Sequence, residues 1–174
     1  MKRLIIALAF VAMTGSARAE VTDKSAAGFE VTEKATIAAP AAKVYAALLT
    51  PGAWWSSQHS WSGDAKNLTM DLARECFCEA LPKGYARHMT IVYTDGARTL
   101  RLEGALGPLQ FTGGYGYLSF SLKETDGRTE LTLTYDVGGY AKGGLGDKWA
   151  APVDGVLGEA VGRLKSYVET GKPG

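Results

Sequence analysis

The chain has 174 residues, of which 46% are hydrophobic and 21% charged, and its formal net charge is +1 at pH 7. That length suits one domain with a single sizeable core. The balanced charge, without clusters of Lys or Arg beyond the N-terminus, argues against nucleic acid as a partner.

Residues 1–19 have the three parts of a cleavable signal peptide. Residues 1–3 carry positive charge, residues 4–13 form an apolar run too short to span a bilayer comfortably, and residues 17–19 are an A-x-A cleavage site. Cleavage there leaves 155 of the 174 residues, and it removes three of the 19 basic residues to leave 16 against 18 acidic ones. We therefore expect a periplasmic or secreted protein with no membrane span after cleavage.

Residues 20–27 are small and polar, which predicts a flexible lead-in to a single domain over residues 28–171. Apolar residues alternate with polar ones between Phe29 and Ile37, which predicts a first strand that ends before Pro40. The apolar spacing of residues 41–49 predicts a short helix that begins after this proline.

Residues 53–55 follow a Thr-Pro-Gly break and predict a second short turn, before a polar loop over residues 56–67. Beyond that loop, extended segments alternate with turn signals such as Asp95-Gly96 and Asp126-Gly127. The predicted strands span residues 68–72, 75–81, 85–94, 99–105, 115–125 and 129–137.

The last predicted element is a long amphipathic helix within residues 143–171. Gly171 and Pro173 predict that the helix ends there. Pro152 is expected to lie in the first turn of the helix. Its apolar stripe follows the three-and-four spacing of one helical face. The stripe contains Trp149, Val153, Val156, Leu157, Ala160, Val161, Leu164 and Val168.

Three interior glycines interrupt this helix at Gly155, Gly158 and Gly162. Each costs about 1 kcal/mol of helix stability relative to Ala. They indicate either the close approach of another element or an unoptimised face in solvent.

The order of elements predicts the α+β class. Short connections imply an antiparallel sheet of consecutive hairpins, with about six to seven strands and two short helices after the first strand. Only one long helix is available to cover the sheet, so we expect the sheet to curve around it. Such an arrangement often leaves a cavity between sheet and helix.

Several segments resemble the START-like, or SRPBCC, superfamily, which has the helix-grip fold. They are ATIAAPAAKVYAALLTPGAWW at residues 35–55, ECFCE at 75–79, RLEGALGPL at 101–109, VDGVL at 153–157 and RLKSY at 163–167. The resemblance covers roughly residues 29–171. Members that look like this are labelled polyketide cyclase or dehydrase, lipid or hormone carrier, or heat-shock ATPase activator, and a shared fold does not choose among them. The activator's partner is cytosolic, which disagrees with export.

Cys76 and Cys78 lie two apart in a predicted strand, so their side chains share a face. Their Cα atoms would be about 6.5–7 Å apart, at the edge of the range that a disulfide spans. We predict two buried, unlinked thiols. A strained redox pair is one alternative, and a metal site completed by His59 and His88 is another, although the spacing matches no known zinc motif.

Polar and aromatic residues supply the remaining candidates. Trp54, Trp55 and Trp61 crowd one loop, where they either plug the core or line the mouth of a pocket. Glu79 shares a face with Phe77, so an inward carboxylate with a raised pKa is one hypothesis and an outward ion pair is the other.

The sequence contains no nucleophile elbow, phosphate loop, H-E-x-x-H or dinucleotide fingerprint, and we expect no cofactor. The leading hypothesis is an exported soluble protein that binds a small, largely apolar molecule. One alternative is a cyclase or dehydratase that uses Glu79 or His88 as acid or base, and another is a metal-handling or interaction module built on Cys76 and Cys78. The expected ligand-binding residues are Trp54, Trp55, Trp61, Phe77, Glu79, His88, Tyr93, Leu102, Tyr117, Trp149, Val153 and Leu157.

The signal-peptide pattern predicts that the exported chain begins at Glu20, within a residue or two. N-terminal sequencing of protein from the periplasm or the medium checks this. Recovery of a soluble cytosolic pool that retains Met1 would contradict it.

Overall fold

A computed structural model describes residues 18–174 of the chain. The predicted signal peptide lies outside the described residues, except for the backbone of Arg18 and Ala19. In the described part, no helix is long and apolar enough to cross a membrane.

Eight strands and two α-helices make up the regular structure of residues 18–174. The strands are β1 (Arg18–Ser25), β2 (Gly28–Ile37), β3 (Leu68–Asp71), β4 (Cys76–Leu81), β5 (Gly84–Asp95), β6 (Thr99–Gly104), β7 (Gly113–Thr125) and β8 (Arg128–Tyr140). The helices are α1 (Ala41–Leu48) and α2 (Gly146–Thr170). Single 3-10 turns occur at Pro51–Ala53, Ser57–His59, Ala65–Asn67 and Gly107–Phe111.

The strands form one curved antiparallel sheet in the order β1-β2-β8-β7-β6-β5-β4-β3. Every neighbouring pair is antiparallel, and β2 lies between β1 and β8. The predicted α+β helix-grip architecture is confirmed, with eight strands in place of six to seven. One α-helix and several 3-10 turns take the place of the two short helices predicted after the first strand.

The extra strand is β1, which occupies the segment predicted to be a flexible lead-in. Its residues pair with β2 in the register Val21↔Val31 and Ser25↔Gly28. Its polar composition suits an edge strand, because charged side chains on such a strand discourage its free backbone edge from pairing with another chain. The prediction for residues 20–27 was therefore wrong, since pairing with β2 outweighs the weak local signal.

The turn after β1 also positions the start of α2. The Leu145 N–H donates to the Ala26 carbonyl at 2.9 Å, and Lys24 Nζ lies 3.3 Å from Asp147 Oδ1. A Cβ at Gly146 would collide with the Ser25 carbonyl oxygen, so this glycine permits the close approach. The helix consequently begins at Gly146, and Pro152 lies in its second turn instead of its first.

The apolar stripe of α2 packs on the sheet as predicted, and Gly171 ends the helix in the left-handed conformation with φ 79°. A Cβ at Gly155 or Gly162 would meet nothing within 4 Å. The close-approach hypothesis is wrong at these two positions, where the helix faces open space. Gly158 is half-buried.

Glu33 on β2 is a fully buried carboxyl that the sequence analysis did not single out. It lies in phase with the buried residues Val31 and Ala35 and interacts with Asp154 of α2. Neither Glu33 oxygen nor Asp154 Oδ1 has a hydrogen-bond donor within residues 18–174. Burial, and then the charge of Asp154, raise the pKa of Glu33 to about 7. The neutral form of the Glu33 carboxyl is therefore favoured over most of the acidic range.

Glu33→Gln tests this pair through the pH dependence of stability. The pKa of Glu33 is raised from 4.5 to about 7, so its neutral form stabilises the fold fully below pH 4.5, and that contribution is lost as the pH rises to about 7. Above pH 7 we expect the variant to exceed the wild type by about 1–3 kcal/mol in free energy of unfolding, with the difference shrinking toward pH 4.5. Chemical denaturation at several pH values measures it.

Glu130→Gln, at an exposed position on the adjacent β8, is the matched control and should show no such pH-dependent gain. A gain at Glu33 that is constant across the pH range would contradict the raised pKa of Glu33.

Candidate functional site

A cavity of about 440 Å³ opens between the sheet and the first half of α2. Its walls come from the loop after α1, from β4 and β5, from the 3-10 turn Gly107–Phe111, and from α2. This volume lies in the range of small-molecule sites. The lining residues are Trp55, Gln58, His59, Ser60, Trp61, Leu68, Phe77, His88, Leu106, Gly107, Pro108, Leu109, Phe111, Trp149, Pro152, Val153 and Val156.

Aromatic rings form much of this lining. The ring centroids of Trp55 and Phe77 are 5.7 Å apart, and those of Trp61 and Phe111 are 5.3 Å apart. Trp55 and Phe77 are buried, whereas Trp61 is 42% exposed and Phe111 77% exposed. The first pair therefore lies at the inner end of the cavity and the second pair at its mouth.

Both hypotheses for the tryptophan loop hold, each for a different indole. Trp54 is buried and donates its Nε1–H to the Ala47 carbonyl at 2.7 Å, so it plugs the core beside α1. Trp55 and Trp61 line the cavity. One short loop therefore contributes aromatic side chains both to the core and to the cavity.

Two contacts connect this loop to α2. His59 Nε2 lies 2.9 Å from Glu159 Oε2, and Arg163 Nε donates to the Trp54 carbonyl at 2.9 Å. Burial alone would raise the pKa of Glu159, but hydrogen bonds from Ser56 and His59 lower it overall. The carboxylate is therefore ionised at neutral pH and holds the loop against the helix.

Glu79 and His88 form a buried pair beside the cavity. Glu79 is fully buried, and its carboxylate accepts the backbone N–H groups of Trp61 at 3.0 Å and Ser62 at 2.5 Å. It also lies 2.8 Å from His88 Nε2. The inward hypothesis for Glu79 holds, but the carboxylate lies behind His88 and is not part of the cavity lining.

The pKa of Glu79 shifts in the opposite direction from the one expected for an inward carboxylate. Burial alone would raise it, but hydrogen bonds from Ser62, Trp61 and His88 lower it overall. Glu79 is consequently an ionised acceptor at neutral pH. Sequence alternation could place this side chain inside but could not supply its donors, which come from a distant loop.

A bulge in β5 explains why His88 faces the cavity. Phe77 pairs with Met89 and Cys78 pairs with Arg87, so His88 is an extra residue between two ladder positions. His88 and Met89 are consequently both buried, which strict alternation forbids. Bulges of this kind redirect a side chain without ending the strand.

Two residues of the cavity lining each contain a buried polar atom that has no hydrogen-bond partner within residues 18–174. The two atoms are His88 Nδ1 and Trp149 Nε1. Because Glu79 is ionised and can only accept, His88 Nε2 carries the proton of this hydrogen bond. Trp149 Nε1 can only donate.

Comparison with known proteins agrees with this architecture. A family model described as polyketide cyclase / dehydrase and lipid transport matches residues 28–169. The chain belongs to this family. The resemblance to the START-like superfamily is thereby confirmed, whereas no curated protein matches the sequence.

Solved structures with the same fold share little sequence with this chain. The conserved protein of unknown function EF2215 from Enterococcus faecalis has a TM-score of 0.58 at 14% identity, over 89% of this chain and 78% of that one. CalU16 from Micromonospora echinospora has a TM-score of 0.55 at 15% identity, over 84% of this chain and 78% of that one. The Aha1 dimer from Colwellia psychrerythraea has a TM-score of 0.54 at 17% identity, over 82% of this chain and 98% of that one. At these identities the similarity shows the fold alone.

Six of the twelve expected ligand-binding residues line the cavity of this family member. They are Trp55, Trp61, Phe77, His88, Trp149 and Val153. Leu102 and Leu157, like Trp54, are buried in the core away from the cavity, and Glu79 supports His88 from behind.

Tyr93 and Tyr117 do not line the cavity, and their side chains are 49% and 50% exposed elsewhere on the surface. Tyr93 follows a second irregularity in β5, where Ile91 pairs with Leu102 and Tyr93 with Arg101, leaving Val92 unpaired. Tyr117 alternates with the buried Leu118, so the period of β7 already indicated an outward side chain.

Sequence reasoning missed most of the mouth of the cavity. The 3-10 turn Gly107–Phe111 supplies Gly107, Pro108, Leu109 and Phe111, none of which was among the expected ligand-binding residues. Apolar residues inside a turn were the available clue. Gln58, Ser60, Leu68, Leu106, Pro152 and Val156 complete the lining residues that were not anticipated, together with His59, considered before only as a metal ligand.

The prediction of free thiols was wrong, because Cys76 and Cys78 form a disulfide. Their Cα atoms lie 5.4 Å apart instead of the 6.5–7 Å of a regular strand, at the irregular register of β4 and β5. The described residues contain no group of three or more His, Cys, Asp or Glu side chains placed to hold a metal. His59 and His88 instead bond to carboxylates.

Glu79→Gln tests the role of the buried carboxylate. The variant keeps the shape but loses the charge that accepts from Trp61, Ser62 and His88, so we expect a loss of about 1–3 kcal/mol in free energy of unfolding at pH 7. The lowered pKa of Glu79 means that its contribution is present above its ordinary value of 4.5 and is lost as the pH falls through the folded-state pKa.

Chemical denaturation of both proteins at pH 7 and in the acid range measures this loss, with Glu130→Gln as the exposed control. The penalty should shrink in acid, where the wild type also loses its charge. An equal penalty at every pH would mean that packing, and not charge, explains it.

Proposed function

We propose that the protein binds a small, largely apolar molecule in the cavity between its sheet and the first half of α2. The observation that carries this proposal is the 440 Å³ cavity with aromatic walls and only a few polar groups. Apolar ligand burial at roughly 25 cal/mol per Å² favours binding, and membership of a family described in part by lipid transport supports it.

The rigid attachment of the cavity walls also supports binding. The loop is held by Glu79 from the sheet side and by Glu159 and Arg163 from α2. A preformed site loses less conformational entropy when a ligand enters. The signal-peptide pattern of residues 1–19 supports binding outside the cytoplasm.

Acid–base catalysis in the same cavity is a second candidate, and the geometry of His88 favours it. An imidazole that lines an apolar cavity, with a carboxylate on one nitrogen and no partner on the other, has the arrangement of a general base. His88 would touch the ligand and Glu79 would act as its positioning residue. Chemical conversion of the bound molecule distinguishes this candidate from simple binding.

Metal handling or protein interaction through Cys76 and Cys78 is not favoured. The disulfide uses both thiols, and no metal-ligating group of the described chain surrounds them.

Val156→Trp tests the binding proposal. Val156 lines the cavity from α2, so a tryptophan there fills space that the ligand needs. We expect the folded wild type to bind the apolar probe N-phenyl-1-naphthylamine saturably and the variant to bind it at least about tenfold more weakly, which corresponds to about 1.4 kcal/mol. Titration with direct excitation of the probe measures the affinity.

Ala151→Trp places the same side chain on the exposed side of α2 and is the matched control. Its affinity should equal that of the wild type. Saturable binding that survives in both variants would place the probe elsewhere, and a folded wild type that binds none would refute the proposal.

A further inference from the structure

We propose that the Cys76–Cys78 disulfide is a thiol–disulfide exchange site, at which an external thiol attacks Sγ of Cys78 and is oxidised while the protein is reduced. This activity goes beyond ligand binding and does not depend on the cavity. It is carried by three features: the position of the bond within one strand, the geometry of that strand, and the different exposure of the two cysteines.

The position of the bond gives it little value as a cross-link. Only Phe77 separates the two cysteines. The stabilisation that a disulfide provides by restricting the unfolded chain grows with the length of the loop it closes, so this loop provides very little. The strand is also held on both sides already, because Cys78 pairs with Thr69 of β3 and with Arg87 of β5. A stabilising role therefore does not account for the bond.

The strand that carries the bond departs from regular geometry. The Cα atoms of the two cysteines lie 5.4 Å apart, whereas alternate residues of a regular strand are about 6.5–7 Å apart. Glu75, directly before the first cysteine, has a left-handed φ of 51°, and β5 has an extra residue opposite the step from Phe77 to Cys78. Breaking the bond releases this contraction, which favours the reduced form. Disulfides of this kind are reduced more easily than structural ones.

The two cysteines differ in their access to solvent. Cys76 is 3% exposed, whereas Cys78 is only half-buried. Alternation with the inward residues Phe77 and Glu79 places Cys78 on the outer face of the sheet, away from the cavity. The exposed residue Arg87 is its partner on β5 and supplies a positive charge beside it. An incoming thiolate is therefore attracted to Cys78.

The exchange proceeds in two balanced steps. In the first step a thiolate bonds to Sγ of Cys78, and the S–S bond breaks with its electron pair on Sγ of Cys76, which takes up a proton. In the second step another thiolate attacks the external sulfur of this mixed disulfide, and Sγ of Cys78 leaves with the electron pair and takes up a proton. Two thiols are thus oxidised to one disulfide, and the protein gains two electrons and two protons.

Incubation of the folded wild type with millimolar reduced glutathione tests the exchange. Acid quenching, alkylation and mass spectrometry count the free thiols, and near-UV circular dichroism reports whether the protein remains folded. We expect most of the protein to be reduced without unfolding, because a contracted strand favours the dithiol. Reduction that occurs only in denaturant would overturn the proposal.

Single-cysteine variants identify the sulfur that is attacked. Oxidised glutathione should react at least about tenfold faster with Cys78 in the Cys76→Ser variant than with Cys76 in the Cys78→Ser variant, because only Cys78 is accessible and beside Arg87. Equal rates, or the reverse order, would overturn attack at Cys78. If either variant does not fold, peptide mapping of the mixed disulfide trapped in the wild type decides the same question.

Two further variants separate direct attack from attack on an opened protein. Val168→Ala removes buried volume near the end of α2, so reduction through unfolding would accelerate as stability falls, whereas direct attack keeps its rate. Arg87→Gln should slow reduction about 2–5-fold, and Arg98→Gln, at another exposed position of the sheet, should not. Acceleration in Val168→Ala, or an unchanged rate in Arg87→Gln, would contradict direct attack beside this arginine.

An unstructured cysteine-containing peptide, used in place of glutathione, distinguishes protein thiols from small thiols. Faster reduction by the peptide at equal thiolate concentration assigns the site to cysteines of other exported proteins, and faster reduction by glutathione assigns it to small thiols. Either order supports the exchange. Failure of both reagents to reduce the folded protein overturns it and leaves the proposed apolar binding untouched.

Discussion

The buried carboxylate of Glu79 is the constraint on which the site depends. It is fully buried and accepts two N–H groups from the loop after α1 together with Nε2 of His88. A buried charge without such donors would be costly, so the loop must remain in contact with β4 for the fold to be stable. The same bonds place Trp61 at the mouth of the cavity and orient the imidazole of His88. Stability and site geometry thus rest on one group.

The cavity lies where side chains of α2 pack incompletely against the rest of the protein. Leu157, Val161 and Leu164 are fully or almost fully buried and close the core. Trp149 and Val156 are only half-buried, and the loop beside them is bonded to Glu159 on the helix and to Glu79 on the sheet. A helix fixed at both ends cannot collapse onto the space between, which therefore remains open.

The arrangement at His88 relates the two candidate functions to each other. The imidazole of His88 lines the cavity in either case, as a polar group of a binding site or as the base of an enzyme. The two functions differ in what the ligand can do after it is bound, and not in how the protein holds it. This continuity agrees with a family whose description includes both cyclases and lipid transport.

The sequence alone determined seven of the eight strands, the long helix α2, its stop at Gly171 and half of the expected lining, because these features follow from local periodicity and turn chemistry. Only the tertiary structure decided the rest. The pairing of β1, the extra residue His88 in β5 and the 5.4 Å approach of Cys76 and Cys78 depend on neighbouring strands, which no local pattern records. The direction of the Glu79 pKa shift likewise depends on donors from a loop 17 and 18 residues away in sequence.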